Sequence, residues 1–421
     1  MKCIKVIRLS AAILCGVSPA LAQTWTQTSA PTNNWVSIAS SADGAKLVAV
    51  VNPGGIWVSS DSGSTWTQTS APRSQWSRVV SSADGNTLAA LGTPTLIGGF
   101  PTNLSYTGSF YTSTDSGMTW MSNNIPYLDG GNFSYPMTTP ADGCKLAAII
   151  TYLGLPGNAT LFTSTNLGVA WTTNKLPTGS WNVLVGSADG TKLLAAGGEI
   201  LISTNWGSGW LSTNSFSYVM TSVAESADAT KCFAAAGSWI FISTNSGATW
   251  EQTSAPASNR IALASSADGY RVVALAQGSG APRAQVLGGP IYTSADGGRT
   301  WSSNQVTAHN WVAVTTSADG CKLFAADAGQ PITPLPPYTT AGGGIWTAQI
   351  PPTSLLNLQP TNGSFVLSWT IPSTNFVLQQ SADLSGWSGV TNPPVLNLTN
   401  LQNEVVLSPT NASGFYRLKT P

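Results

Sequence analysis

The chain has 421 residues, and three of its seventeen basic residues fall within the first 22, leaving fourteen bases against seventeen acids and a net charge of −3 beyond that point. So weakly acidic a chain, with charged residues at only 8%, has no electrostatic footprint for nucleic acid or an anionic membrane surface. Its wealth of Ser, Thr, Asn and Gly, with seventeen Trp, fits an extracellular β protein solvated through hydroxyls and amides.

The first segment, residues 1–22, carries Lys2, Lys5 and Arg8, then an apolar run from Leu9 to Val17, then Ala20-Leu21-Ala22. This is the layout of a secretory signal peptide with its small-residue cleavage site, so a secreted or periplasmic product is expected. No later run approaches the roughly 18 apolar residues of a membrane span, and none is expected.

From residue 23 onward two phrases alternate. The first is an octet ending in Trp: Ser59 to Trp66, Ser113 to Trp120, Ser164 to Trp171, Ser203 to Trp210, Ser243 to Trp250 and Ser294 to Trp301. Its third position is Asp61, Asp115, Asn166, Asn205, Asn245 or Asp296, and its fifth is always Gly. Asp or Asn there bonds the backbone of its own turn while Gly supplies positive φ, so the octet is a turn followed by a Trp to be buried. The second phrase sets Asp43, Asp84, Asp142, Asp189, Asp228, Asp268 and Asp319 between two short apolar runs, all but Asp228 followed by Gly. That is a strong hairpin signal.

Each unit therefore reads as four strands in about 40 to 50 residues, the period of a β-propeller blade. There are seven hairpins but only six octets. The segment after residue 22 begins with the tail of a unit, Thr24 to Pro31, while Gly342 to Ala348 is a third strand with no octet after it. The simplest resolution is an all-β, seven-bladed β-propeller over 23–350, closed by the N-terminal strand so that no edge is left open. A linker follows at 351–354. Residues 355–421 then carry short strand-like runs between Asn/Pro/Ser/Gly turns, as in a small β-sandwich-like module. Cys144, Cys232 and Cys321 occupy neighbouring positions of one repeated hairpin and receive no chemistry.

The octet resembles the Asp-box, the repeat of bacterial neuraminidases and other sialidase-like propellers, and the tail resembles fibronectin type III-like modules. The phrase G-x-I-W/L-x-S-T-D-x-G-x-T-W is also similar to the photosystem II assembly and stability factors, a resemblance that implies a propeller binding partner proteins. Sialidase chemistry implies an arginine triad and a Tyr nucleophile with a Glu partner. Here Arg271 and Arg299 lie inside the repeat, no Arg-Ile-Pro motif occurs, and only Glu199, Glu225, Glu251 and Glu404 are present. Because Asn replaces Asp in half the octets and cannot act as an acid or base, the boxes read as structural.

Two function classes remain. One is a non-catalytic propeller binding a protein or carbohydrate partner, with neither cofactor nor metal, since a lone His is poor evidence for a metal site. The other is a divergent glycoside hydrolase or lyase using Asp129 and Asp327, the acids read as riding long loops. From hairpin Asp to third strand, blades 1, 4 and 5 take 12 to 14 residues and blades 2, 3, 6 and 7 take 20 to 27. The extra length falls opposite the Asp-boxes, which marks that face for binding. Tyr106 and Tyr338 belong to these loops, and His309 to a connection on the same side. Trp35, Trp76, Trp181 and Trp311, with Arg260 at the same place in blade 6, start the inner strands. For the indoles two roles stay open: packing between blades, or a ring at the channel mouth for stacking on sugars.

Overall fold

The computed structural model describes residues 23–97, 105–123, 136–151, 159–177, 179, 181–215, 218–277, 288–304, 306, 309–331, 340–351, 356–361, 364–371, 376–382, 386–407 and 415–419. The signal peptide expected at 1–22 lies outside them. Strands and turns account for the regular structure. No helix among the described residues is long and apolar enough to cross a membrane.

Seven four-stranded antiparallel sheets occupy the repeat region. Blade 1 is typical: Trp35–Ser40, Leu47–Val51, Ile56–Ser59 and Thr67–Gln68, paired in that order. The inner strands of the other six are Trp76–Ser81, Met137–Thr138, Trp181–Gly186, Met220–Glu225, Asn259–Ser265 and Trp311–Thr316. In blade 7 the fourth strand comes from the other end of the chain, with Thr26 opposite Thr347 and Gln27 opposite Trp346. The Thr28 amide adds a bond of 2.8 Å to the Ile345 carbonyl.

The hairpin turns hold neighbouring blades together. In each, the alanine before the aspartate gives its N–H to the carbonyl of its counterpart one blade on, through Ala42, Ala83, Ala141, Ala188, Ala227, Ala267 and Ala318, and Ala318 returns to Ala42. The seven bonds span 2.6 to 2.8 Å and form a closed circuit around the axis. Lysines three residues past the aspartate extend it. The Nζ atoms of Lys145, Lys192, Lys231 and Lys322 donate to the carbonyls of Gly190, Asp228, Asp268 and Asp43, each in the next blade.

The apolar core is divided among the blade interfaces. Between blades 7 and 1 lie Phe324, Ala326 and Ile345 against Trp35, Ile38 and Leu47. Between blades 6 and 7, Leu275 and Ile291 meet Trp311, Leu323 and the N-terminal Trp25. Each second strand is small and apolar because both its faces are covered; Leu47–Val51 and Cys232–Ala236 are buried throughout.

Beyond the repeat, Asn357–Thr361, Ser364–Thr370, Gln402–Leu407 and Val395–Asn397 form one sheet, and Ser388–Gly389, Val377–Ser381 and Phe415–Lys419 a second. They share a core of Leu367, Trp369, Leu378 and Val405.

The octet glycine has a second duty besides its turn. At Gly168, φ is +81°, and a Cβ there would stand 2.4 Å from Phe110 Cε1 of the preceding blade. Gly168→Ala therefore combines left-handed strain with overpacking of a blade interface, and a loss of about 2–4 kcal/mol is expected in denaturant unfolding. A loss below about 0.5 kcal/mol would show that the interface yields freely.

Candidate functional site

On the face bearing the turns, each aspartate is used locally. Ser41 Oγ donates to Asp43 Oδ1 at 2.6 Å and the Ala45 amide donates to the same oxygen at 2.9 Å. In the octet, Ser59 Oγ and the Thr65 amide both donate to Asp61 Oδ1 at 2.8 Å, while Thr65 Oγ1 donates to Oδ2 at 2.6 Å. Asn166, Asn205 and Asn245 accept the equivalent serine and amide bonds at 2.8 to 2.9 Å. The amide side chain reproduces the turn without the charge. Where the charge remains, donors stabilise it: the Thr119 hydroxyl, followed by its amide, lowers Asp115 to about 2. A carboxylate so held is a poor proton donor near neutrality.

On the opposite face, the strand starts differ from a ring of accessible indoles. Trp35 and Trp76 are 0% exposed, and Trp181 and Trp311 are 2% exposed. A register shift two residues into the strand, as between Trp35 and Ser37, accompanies this placement between blades. Trp181 Nε1 donates to the Pro177 carbonyl at 3.1 Å. The same position is Met220 in blade 5, also buried. These side chains offer no surface for a sugar to stack on.

His309 and Asp327 come together in blade 7. Asp327 ends the strand Lys322–Asp327 and is 6% exposed, so it does not ride a loop. Its Oδ2 lies 2.8 Å from His309 Nδ1, and its Oδ1 accepts from the Asn310 amide at 3.0 Å and the Gly329 amide at 2.8 Å. His309 packs with ring centroids 4.9 Å from Trp311 and 4.4 Å from Trp346. Carboxylate, imidazole and two indoles form a tied corner. The aspartate has little capacity left to act on a substrate. Asp129 and Tyr338 lie outside the described residues. Tyr106 and Arg260 sit in strands, opposite Leu96 and Ala276.

No group of three or more His, Cys, Asp or Glu among the described residues is placed to hold a metal. Cys144, Cys232 and Cys321 are free thiols, and burial pushes Cys321 up to about 12, into the unreactive range.

The inner strands enclose a central cavity of about 530 Å³, lined mainly by aliphatic and hydroxyl side chains. At the mouth ringed by the hairpin alanines stands Glu225, the last residue of the blade 5 inner strand, and Leu401 of the C-terminal module borders the same mouth. Glu225 Oε1 is buried with no hydrogen-bond partner among the described residues. Burial pushes this carboxyl up to about 8, against the lowering effect of Lys192 and with the help of Asp228 and Asp189.

No protein-family model matches the chain, and no curated protein matches it. Solved structures do. YCF48 from Cyanidioschyzon merolae superposes with a TM-score of 0.53 at 17% identity, over 77% of this chain and 98% of its own. A structure of YCF48 bound to D1 peptide gives 0.52 at 16%, over 78% and 97%. The GH74 xyloglucanase from Xanthomonas campestris gives 0.55 at 13%, over 83% of this chain and 59% of its own. At such identities the likeness establishes the β-propeller fold and carries no ligand or reaction across.

Glu225 makes stability depend on pH. Below its ordinary value of 4.5 both folded and unfolded chains hold the proton; between there and about 8 only the folded chain does. Stability accordingly falls as pH rises through that window, by up to about 1.4 kcal/mol per unit. Glu225→Gln is expected to raise the thermal midpoint at about pH 9 and to leave it unchanged at about pH 4. A pH-independent difference would contradict a buried neutral carboxyl.

Proposed function

We propose that this chain is a secreted, non-catalytic propeller that binds a polypeptide partner through the face opposite the Asp-boxes. The observation that carries the reading is the commitment of the aspartates. All eleven described aspartates of the propeller are hydrogen-bonded, ten in turns and Asp327 to His309 and two amides. Glycoside hydrolysis needs one carboxyl poised to give a proton and another facing the sugar across a cleft. A bound turn carboxylate supplies neither.

The proposed face also has the reach for a partner. The middle strands of blade 2, Leu88–Ile97 and Ser105–Ser113, pair out to Ile97 and Ser105, whereas the corresponding pair in blade 4 ends at Ala196 and Ile200. Blade 7 adds a small sheet of Gln330–Pro331 with Thr340–Ala341 on the same side. Main-chain groups at such hairpin tips suit an extended peptide. With the strand-start indoles buried, stacking on sugar has less support. That one similar structure is of YCF48 with a peptide bound agrees with the choice of partner class.

The test presents the full chain to a peptide array, a glycan array and soluble polysaccharides assayed for released reducing sugar. Saturable peptide binding is expected, weakened at least about tenfold when residues 93–108 are replaced by an Asn-Gly turn. Release of sugar that disappears in Asp327→Asn at an unchanged thermal midpoint would overturn the proposal. So would glycan binding in the absence of any peptide signal.

A further inference from the structure

Arg78 is out of pattern. It follows the register shift two residues after Trp76, and at the same place five of the other blades carry Ser37, Val183, Ser222, Ala262 and Ala313. Residues so different in size and polarity show that the fold asks for no cation there. All six line the central cavity, and Arg78 is the one ionisable residue among those that do. The rest of the cavity lining is made of hydroxyl residues, among them Ser77, Thr138, Thr221 and Ser222, and of aliphatic side chains.

The guanidinium has no hydrogen-bond or ion-pair partner among the described residues. Arg78 is half-buried and faces the cavity, and the protein around it pulls its pKa below the ordinary arginine range. Arginine nevertheless stays charged, so an unpaired cation faces the cavity. Such a group gains more from an anion than a fully exposed arginine does, since part of its cost of desolvation is already met.

We propose that the central channel binds a small monocarboxylate through Arg78. The planar fork of the guanidinium matches the two oxygens of a carboxylate. Charge selects within the oxyanions: one cation balances one negative charge, and a sulfate or phosphate dianion brings a second charge that no other cation in the cavity meets. A cavity of about 530 Å³ is within the range of small-ligand sites. The ligand is either a free organic acid or the C-terminal carboxylate of a short chain. This site is separate from the loop face proposed for the polypeptide partner.

Full-length protein labelled with ¹⁵N is titrated with acetate, with sulfate, and with N-acetyl-triglycine against its C-terminal amide, at constant ionic strength set by chloride. The Arg78 Nε–Hε resonance is followed, assigned by its absence from Arg78→Ser. Acetate, the free-carboxyl peptide or both are expected to shift it saturably; acetate alone identifies a free acid, and a response to the peptide admits a chain terminus. Arg78→Lys, which keeps the charge without the fork, is expected to bind acetate at least about tenfold more weakly in calorimetry. Arg78→Ser carries the residue of blades 1 and 5 and is expected to bind none while keeping the wild-type thermal midpoint or exceeding it. A shift no greater than chloride gives, a preference for sulfate, or acetate binding undiminished in Arg78→Ser would overturn the proposal.

Discussion

The structure depends on one circuit of backbone hydrogen bonds. Seven hairpin alanines each donate to the next, and the last donates to the first. The same ring is completed at its outer edge, where Thr26 and Gln27 pair with Thr347 and Trp346 to give the final blade its fourth strand. Closure has two effects. It removes the open edge that a stack of sheets would otherwise present, and it turns each blade's exposed apolar face into an interface with a neighbour. Trp25, the first tryptophan after the predicted cleavage site, is buried at the interface of blades 6 and 7, so the two ends of the repeat region share one core cluster.

The sequence makes the frame legible because its signals are local. Asp-Gly between apolar runs and the Asp/Asn-x-Gly octet act within a few residues, and the structure realises both as capped turns. The orphaned third strand at Gly342 to Ala348 and the headless fourth strand at Thr24 to Pro31 point to each other for the same reason. Contacts between blades are less visible. Octet glycines read as turn residues, yet Gly168 also lies against Phe110 of the preceding blade. Trp35 and Trp76 read first as packing between blades, with the channel mouth as the other role, and their full burial places them inside. Asp327 reads as a loop acid because no Gly follows it directly, and only the fold brings His309 and Asn310 to it. Arg78 is hidden in plain view; aligning the repeats on their aromatic starts exposes an arginine where other blades have serine, valine or alanine.

The two faces of the ring divide their work on physical grounds. The turn face spends its aspartates and serines on capping its own turns and its lysines on bonds to the next blade. The opposite face carries the longer hairpins, whose tips are not constrained by the circuit and can differ without opening the ring. Between them the channel combines hydroxyls, one guanidinium at Arg78 and, at its alanine-ringed mouth, one carboxyl held neutral at Glu225. Charge placed there is retained at a cost to stability, unlike charge on the rim.

Closure as the organising constraint is tested most directly by native-state hydrogen exchange at the amides of Ala42, Ala83, Ala141, Ala188, Ala227, Ala267 and Ala318. A closed circuit predicts that all seven exchange with one common opening free energy. It also predicts that deleting residues 23–31 lowers protection at all of them together, including Ala188 on the far side of the ring. Protection that is graded from blade to blade, or that is lost only at Ala318 and Ala42 on deletion, would contradict it.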